Sequence, residues 1–480
     1  MPVSVARRIA FDVLLRVESE SAYATELLHA ALTPAVKPTD AALATEITLG
    51  VLRWRRLLDF LLDRRLKTPI ARFDLPVAIA LRLGFYQMRF LEKIPARAAV
   101  NESVELVKHA RKSSAASLVN AVLRRASADA KAPAEKLLPP NLPLAERLAI
   151  LHSHPTWMVE RWLARFGEPR TVALLEANNR PPRLAFAIHD SERREEIRRD
   201  LDAAGLRVEP GRLLKDAFAA SGGSIARTEA FRRGDISIQD EASQTIPLLL
   251  GVRPGDRVLD LCAAPGGKTF ALARSTGPNG LVIAGELHQH RLRAMQEQLT
   301  RLRFATNDCA ENHLQQKSAN AAVTQKPISR VALVALDATR PLPFATAFDR
   351  ILVDAPCSGT GTLARHPEIR WRLRQEPLAE FHALQTKLLH VALAHLAPGG
   401  RLVYSTCSIE LEENESVIAA VDSSGAYRIV PAAESARLLA RHLSPNVDAD
   451  ALVNACGYFH TSPAEQGTDG FFAAVLEKSG

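Results

Sequence analysis

The 480-residue sequence lacks several features that mark common protein classes. No stretch approaches the roughly 18 uninterrupted apolar residues of a transmembrane helix. The first residues have no secretory h-region or cleavage site, because Asp12 and Arg16 interrupt their apolar face. We therefore expect a cytoplasmic protein with no membrane partner.

Cysteine is scarce, with five residues: Cys262, Cys309, Cys357, Cys407 and Cys456. No pair has the C-x₂-C spacing of a zinc site, so we expect no metal. An odd number of cysteines in so long an intracellular chain also argues against a disulfide framework. Each cysteine therefore needs its own explanation.

Positive charge is concentrated at the front of the chain. The net charge is +8, and residues 1–130 contain 20 Lys/Arg against 13 Asp/Glu, compared with 41 against 40 in the remainder. This excess favours an anionic partner such as nucleic acid. A solvated basic surface explains the charge alone equally well.

Apolar spacing predicts helices throughout residues 1–126, packed as an all-α domain over 1–128. The predicted helices are 5–17, 41–62 with Asp40 as its cap, 76–91 and 102–125. Residues 129–143 have the composition of a linker. Residues 144–235 mix helix and strand signals, including a strand at Leu184–Ile188 and a helix at 191–204, which predicts a small α+β domain.

An arginine cluster in the helical region surrounds a tryptophan, as Arg53-Trp54-Arg55-Arg56. Trp54 could stack on a base, whereas a core tryptophan flanked by surface arginines is the more ordinary interpretation. We predict that Arg53, Arg55 and Arg56 contact RNA.

From residue 236 to 480, apolar strand signals alternate with helical patterns, which is typical of a parallel α/β sheet. The strands are predicted at 257–261, 281–285, 331–336, 350–353 and 401–404. Residues 304–330 interrupt this alternation. They are rich in Ala, Asn and Gln and predict an extended polar loop without a chemical role.

The first strand of this region runs into a turn of small residues, Cys262-Ala263-Ala264-Pro265-Gly266-Gly267-Lys268. Such a turn lets a ligand approach backbone N–H groups at a helix N-terminus. The P-loop pattern fails because Cys262 stands at its first glycine, and no G-x-G-x-x-G is present. An adenosyl cofactor remains.

Acidic residues at the ends of the next strands support that cofactor. Glu286 follows the second strand, where a carboxylate suits ribose hydroxyls, and Asp337 follows the third, where adenine would lie. A single strand-end acid is more often a helix cap. With Asp354 after the fourth strand, three acids are in phase with the strands, and this favours a site.

The fourth and fifth strands end near cysteines, as Asp354-Ala355-Pro356-Cys357 and Ser405-Thr406-Cys407. A buried cysteine is usually a small apolar filler, but two at adjacent strand ends favour catalysis. A thiolate that adds to C6 of a pyrimidine makes C5 nucleophilic towards a methyl sulfonium. Asp354 could stabilise charge at N3 if it is protonated or shares a proton, and a second cysteine could assist release.

These motifs, at residues 260–268, 354–361 and 405–408, resemble those of the RNA cytosine-5 methyltransferases of the RsmB/Sun family. The resemblance implies a Rossmann-like fold, S-adenosylmethionine as cofactor, Cys407 as nucleophile and Cys357 in product release. It assigns to cofactor and substrate the turn residues 262–268, including Lys268, together with Glu286, Asp337 and Asp354.

The N-terminal helices resemble a NusB-type RNA-binding domain, on Ala6-Arg7-Arg8 and residues 50–53 and 118–125. That fusion is characteristic of the bacterial RsmB type, which implies 16S ribosomal RNA as partner, naked or in an early assembly intermediate. Residues 365–372 also fit the family, and we predict RNA contacts at Arg365 and Arg370. A capped surface helix explains this stretch equally well.

The sequence departs from the family's usual Leu-Arg-Val-Asn at residues 186–189, where Ala187 and His189 replace the Arg and Asn. Glu286 stands where Asp is common, and it retains the carboxylate. Two alternatives stay open. One is the same chemistry on transfer RNA or 23S RNA, and the other is an RNA-binding assembly factor with an inert methyltransferase fold.

Overall fold

The computed structural model describes residues 3–20, 22–190, 192–307, 329–421 and 425–479. The chain forms two compact units. The first contains Met1–Pro181 and Thr362–Gln375, and the second contains Pro182–Gly361 and Glu376–Gly480. Within the described ranges, no helix has the length and apolar character needed to cross a membrane.

The helices, in chain order, are α1 (Val5–Glu20), α2 (Ala24–Ala31), α3 (Pro38–Asp63), α4 (Leu75–Phe90), α5 (Ala96–His109), α6 (Ala116–Ala126), α7 (Leu144–Leu151), α8 (Thr156–Asn178), α9 (Arg194–Ala203), α10 (Glu229–Arg232), α11 (Glu241–Leu249), α12 (Gly267–Thr276), α13 (Gln289–Arg301), α14 (Ile369–Arg372), α15 (Pro377–Ala394), α16 (Glu415–Ala419) and α17 (Ala432–Ala440).

The strands are β1 (Leu184–Ile188), β2 (Arg207–Pro210), β3 (Ala217–Ser221), β4 (Ile236–Ile238), β5 (Arg257–Asp260), β6 (Leu281–Glu286), β7 (Ala305–Asn307), β8 (Arg330–Ala335), β9 (Phe348–Asp354), β10 (Leu396–Thr406), β11 (Tyr427–Ile429), β12 (Tyr458–His460) and β13 (Phe472–Lys478).

Helices α1 to α6 pack their apolar stripes into one core, which confirms the predicted all-α region. Two local predictions are wrong. The helix predicted over 102–125 is two helices, α5 and α6, because polar residues interrupt its stripe and Arg111 adopts a left-handed φ of 58°. Asp40 does not cap α3, since Pro38 already begins that helix.

The first unit extends past the predicted linker at 129–143. Those residues include the 3₁₀ turn Ala134–Leu137. Asp129, the first of them, forms an ion pair with Arg65 of the α3–α4 connection at 2.7 Å. Helices α7 and α8 also belong to this unit, although the sequence analysis assigns their residues to the middle domain. The division between the two units falls between residues 181 and 182.

A segment from the second half of the chain, Thr362–Gln375, completes the first unit. Its Arg370 has no exposed surface. The two terminal nitrogens of this guanidinium donate to five oxygens at 2.9–3.3 Å: the carbonyls of Arg53, Ser153, Asn178 and Leu363, and Asn179 Oδ1. Trp371 Nε1 donates to the Leu52 carbonyl at 2.6 Å.

The smaller sheet of the second unit is antiparallel, in the order β2-β3-β1-β4. Its core contains Phe186 from β1, Ile197 from α9 and Ala230 from α10. This is the α+β region that the sequence predicts, with β1 at the expected residues.

The larger sheet has the order β11-β13-β10-β9-β5-β6-β8-β7, with β12 paired to β13. Strands β10, β9, β5, β6, β8 and β7 are parallel, and β13 is antiparallel to its neighbours. All five predicted strands are present. The loop predicted over 304–330 is wrong at its start, where Ala305–Asn307 pairs with the β8 edge, and residues 308–328 lie outside the described residues.

Arg370 gives a prediction about stability. Arg370→Met removes hydrogen bonds to five oxygens, four of them buried and one, Asn179 Oδ1, partly buried. Each lost bond costs about 1 kcal/mol, so the free energy of unfolding should fall by roughly 3 kcal/mol or more. Urea unfolding followed by circular dichroism measures this change. The exposed Arg374 of the same segment is the control, and Arg374→Met should cost under about 0.5 kcal/mol. Equal costs for both variants would contradict the prediction.

Candidate active site

The turn between β5 and α12 is built from small residues at the carboxyl edge of the sheet. Its backbone is tied to the neighbouring strand, where the Ala263 N–H donates to the Gly285 carbonyl at 2.9 Å. Gly266 has a φ of 104°, and a Cβ there would approach the Phe270 ring to 2.6 Å. Glycine is therefore required, and the N-terminus of α12 opens beside it.

Four acids lie at or just beyond the ends of β5, β6, β8 and β9: Asp260, Glu286, Asp337 and Asp354. The sequence analysis assigns the last three to the site, and Asp260 is added by the structure. Glu286 is 5% exposed, accepts the His288 N–H at 3.0 Å and pairs with Arg291 at 3.2 Å. Asp337 accepts the hydroxyl and the N–H of Thr339, and these bonds lower the pKa of its carboxyl.

Asp260 is the most deeply buried of these acids, with 1% exposure. Its Oδ2 accepts the Thr269 hydroxyl at 2.6 Å, and its Oδ1 has no hydrogen-bond partner. Burial raises the pKa of this carboxyl to about 7, and the charge of Asp354 adds to the rise. A cavity of about 400 Å³ lies against this side chain and against the turn between β5 and α12. We call residues 262–268 of this turn the cofactor turn.

Lys268 and Asp354 form an ion pair next to this cavity, with Nζ and Oδ2 2.6 Å apart. Ser405 from the neighbouring strand donates to Asp354 Oδ1 at 2.7 Å, so both carboxylate oxygens are held. The Lys268 ammonium also lies 5.0 Å from the centre of the Phe471 ring. The sequence analysis gives Asp354 a role if it is protonated or shares a proton, and the structure places the Lys268 ammonium as a hydrogen-bond donor to it.

The two strand-end cysteines meet. Cys357 Sγ and Cys407 Sγ are 3.2 Å apart, and both residues are partly buried. The hydrogen bond with Cys407, together with burial and nearby negative charge, raises the pKa of the Cys357 thiol. One thiol is thus set to remain protonated beside the other.

The other described cysteines are Cys262 and Cys456. Burial raises the pKa of the Cys262 thiol in the cofactor turn, so Cys262 acts there as a small apolar residue. Cys456 is exposed. Cys309 lies outside the described residues.

The predicted RNA contacts at Arg53 and Arg370 are wrong, because both side chains are interior to the first unit. Arg53 is 4% exposed and donates to the Ala364 carbonyl at 3.0 Å. Residues 365–372 are also not a surface helix, since Arg370 is fully buried. Arg365 is partly exposed and stays a prediction.

The guanidinium groups of Arg55 and Arg56 are already engaged inside the first unit. Arg55 pairs with Glu18 at 3.0 Å and lies over the Trp371 ring, and Arg56 pairs with Glu146 at 2.6 Å. Both side chains are partly exposed, and the RNA contacts predicted for them stay predictions. Trp54 stacks on Phe90 with ring centres 5.0 Å apart, which agrees with the core interpretation.

Sequence reasoning missed Glu413, which is fully buried and accepts hydrogen bonds from Ser358 and Ser408, the residues that follow the two cysteines. The only sequence signal is its position, five residues after Ser408, within a run of glutamates. Such a run ordinarily indicates a solvated surface.

A mainly parallel sheet with this turn, these strand-end acids and this thiol pair is typical of Rossmann-like α/β enzymes. Residues 247–477 match the family described as 16S rRNA methyltransferase RsmB/F. Residues 4–128 match the NusB family, and residues 154–222 match the ferredoxin-like domain of RsmF/B-like methyltransferases.

Full-length relatives agree with these matches. The chain is 31% identical to the probable ribosomal RNA small subunit methyltransferase B of Bacillus subtilis, with 100% of both chains covered. It is 30% identical to the ribosomal RNA small subunit methyltransferase B of Erwinia tasmaniensis, with 98% of each covered. The chain therefore belongs to the RsmB/F family of 16S rRNA methyltransferases and is an RNA methyltransferase.

Two solved structures share the fold. The crystal structure of PH0851 covers 100% of both chains with a TM-score of 0.77 and 23% identity. A methyltransferase homologue from Pyrococcus horikoshii covers 71% of this chain and 100% of its own, with a TM-score of 0.54 and 27% identity.

Asp260 gives a prediction about pH. Its pKa of about 7 means that the folded protein keeps a proton that the unfolded chain has lost above about pH 4. The free energy of unfolding should therefore fall as pH rises from about 4 to about 7, by up to about 1.4 kcal/mol per pH unit from this group. Asp260→Asn should be less sensitive to pH in that window, measured by urea unfolding without cofactor. The same slope in both proteins would contradict the prediction.

Proposed function

We propose that this methyltransferase acts on carbon 5 of a specific cytosine in 16S ribosomal RNA, with S-adenosylmethionine as methyl donor and a covalent bond between Cys407 and C6. The observation that carries the proposal is the pair of thiols, 3.2 Å apart, just beyond the ends of β9 and β10. Asp354 at the end of β9 also forms the ion pair with Lys268 of α12. The names of the Bacillus and Erwinia relatives support the substrate.

The cofactor turn fits S-adenosylmethionine on observations of the site itself. The cavity has the volume of a small-molecule site, and Gly266 leaves room that a Cβ would fill. The Oδ1 of Asp260 is a buried polar atom without a hydrogen-bond partner. We assign the ribose hydroxyls to Glu286 and the adenine region to Asp337. When bound, the cofactor supplies an electrophilic methyl group on a sulfonium.

Cys407 is the nucleophile of the proposal. Its thiolate would form a bond to C6, and the electron pair of the C5–C6 double bond would become available at C5 for the methyl group that the cofactor supplies, whose bond to the sulfonium sulfur would break. Loss of the C5 proton to a base restores the double bond and expels the Cys407 thiolate. Cys357, held as a thiol, assists this second stage.

Lys268 and Asp354 bind the target base in this proposal. Addition to C6 moves negative charge towards N3 and O2 of the ring, and a proton offered from the Lys268–Asp354 pair stabilises it. The fixed position of Asp354, held also by Ser405, means that little reorganisation is needed during reaction.

The cytosine must leave its stack to reach the thiols, at a cost of a few kcal/mol unless a loop already exposes it. Contacts between the helical region and flanking phosphates would offset this cost. With Arg53 and Arg370 buried, we assign these contacts to exposed cations on α1 and α6: Arg8, Arg124 and Arg125.

The substrate is tested by transfer of labelled methyl groups to naked 16S RNA, 30S subunits, 23S RNA and transfer RNA, followed by mapping of the modified base. The proposal expects 5-methylcytosine at one position of 16S RNA, in naked RNA or an early assembly intermediate. Label only in transfer RNA or 23S RNA would overturn the substrate, and no label in any RNA would favour an inert assembly factor.

The two cysteines should respond differently to substitution. Cys407→Ala should abolish methyl transfer, because alanine has no nucleophile that can form the bond to C6. Cys357→Ala should allow attack but slow release, and therefore trap a protein–RNA adduct that resists SDS. Gel electrophoresis with labelled RNA measures both outcomes. Equal loss of activity without an adduct in either variant would overturn the assignment.

A further inference from the structure

The backbone register of the sheet does not by itself fix the distance between the two thiols. Parallel pairing of β9 with β10 ends at Asp354 opposite Ser405. Cys357 and Cys407 lie beyond that pair, in the loops that leave the sheet. We call residues 355–361 and 407–410 the cysteine loops. Something other than strand pairing must hold these loops against each other.

Glu413 lies between the cysteine loops with no exposed surface. Its Oε1 accepts the Ser358 N–H at 2.7 Å and Gln385 Nε2 at 3.0 Å. Its Oε2 accepts the hydroxyls of Ser358 and Ser408. Four donors thus saturate the four lone-pair positions of one carboxylate.

The two serines connect this carboxylate, through the chain, to the residues that carry the thiols. Ser358 follows Cys357 in the chain, and Ser408 follows Cys407. Thr360 strengthens the connection, since its hydroxyl lies 3.2 Å from Ser408 Oγ and accepts the Ile409 N–H at 3.0 Å. Hydrogen bonds of Glu413 and Thr360 therefore join the two cysteine loops to each other.

We propose that Glu413 is a positioning residue, whose buried carboxylate holds the two cysteine loops at the separation needed for attack by Cys407 and release assisted by Cys357. The proposal rests on the proposed function of these cysteines. Glu413 itself does not touch the base or the cofactor in this scheme.

A carboxylate is suited to this position, and an amide is not. A glutamine has one acceptor oxygen, and its NH₂ group would face the N–H and hydroxyl donors that now point at the second oxygen. Buried donors left without an acceptor move away or recruit water, and the loops would separate. A shift of about 1 Å in a reacting group can lower the rate about 100-fold.

The test compares Glu413→Gln with the unchanged residue in the Cys357→Ala background, where the adduct accumulates. We expect the rate of adduct formation on 16S RNA to fall about 100-fold, with little change in KM for either substrate. An adduct rate equal to that of the parent would overturn the proposal. A variant that is only less stable gives a smaller adduct amplitude at an unchanged rate, and this result also counts against positioning.

Two further variants keep the test decisive. Glu412→Gln makes the same charge change at the adjacent, partly exposed residue and should leave the rate within about threefold of the parent. Ser408→Ala removes one donor and keeps the carboxylate, and it should slow adduct formation by about tenfold. It serves as the test if Glu413→Gln fails to fold. No effect of Ser408→Ala in a folded protein would contradict the proposal.

Failure of the proposed function gives a different result. If Cys407 is not the nucleophile, the Cys357→Ala parent itself forms no adduct, whatever residue stands at 413. If only the role of Glu413 is wrong, the parent forms the adduct and Glu413→Gln forms it equally fast.

Discussion

Parallel pairing of β5, β9 and β10 is the constraint on which the whole site depends. Strands that run in the same direction end at the same edge of a sheet, so residues far apart in the chain arrive together there. This edge receives Asp260, Asp354 and Cys407 from three strands. The β9–β10 register places Ser405 opposite Asp354, and the hydroxyl of one then binds the carboxylate of the other.

Beyond the strand ends, the cysteine loops depend on one buried carboxylate whose acceptor positions are all used. An isolated buried carboxylate is strongly disfavoured, but one that accepts four hydrogen bonds specifies a single arrangement of its donors. Glu413 meets this condition, and Asn414 adds to it by accepting the Thr406 hydroxyl and donating to the Ser408 carbonyl. The cysteine loops therefore have one well-determined conformation although neither is regular secondary structure.

The sequence predicted those parts of the structure that are encoded locally. The cofactor turn, the strand ends and the helical stripes depend on neighbouring residues, and the structure has them where they were expected. Arg370 and Glu413 could not be predicted in this way, because their partners are supplied by distant parts of the chain. An arginine bonded to five oxygens and a surface arginine look identical in sequence, as do a buried and a solvated glutamate.

The same limit applies to the charge of the helical region. A net charge counts every arginine, but Arg53 and Arg82 are each 4% exposed, and Arg82 binds Asp59 at 2.6 Å. Such guanidinium groups stabilise the bundle through carbonyls and carboxylates, and their fields are largely cancelled before they reach solvent. Only exposed cations release counterions when they meet phosphates. The excess of seven positive charges in residues 1–130 is therefore not a count of the phosphates that this region can neutralise, and RNA affinity depends on the subset at the surface.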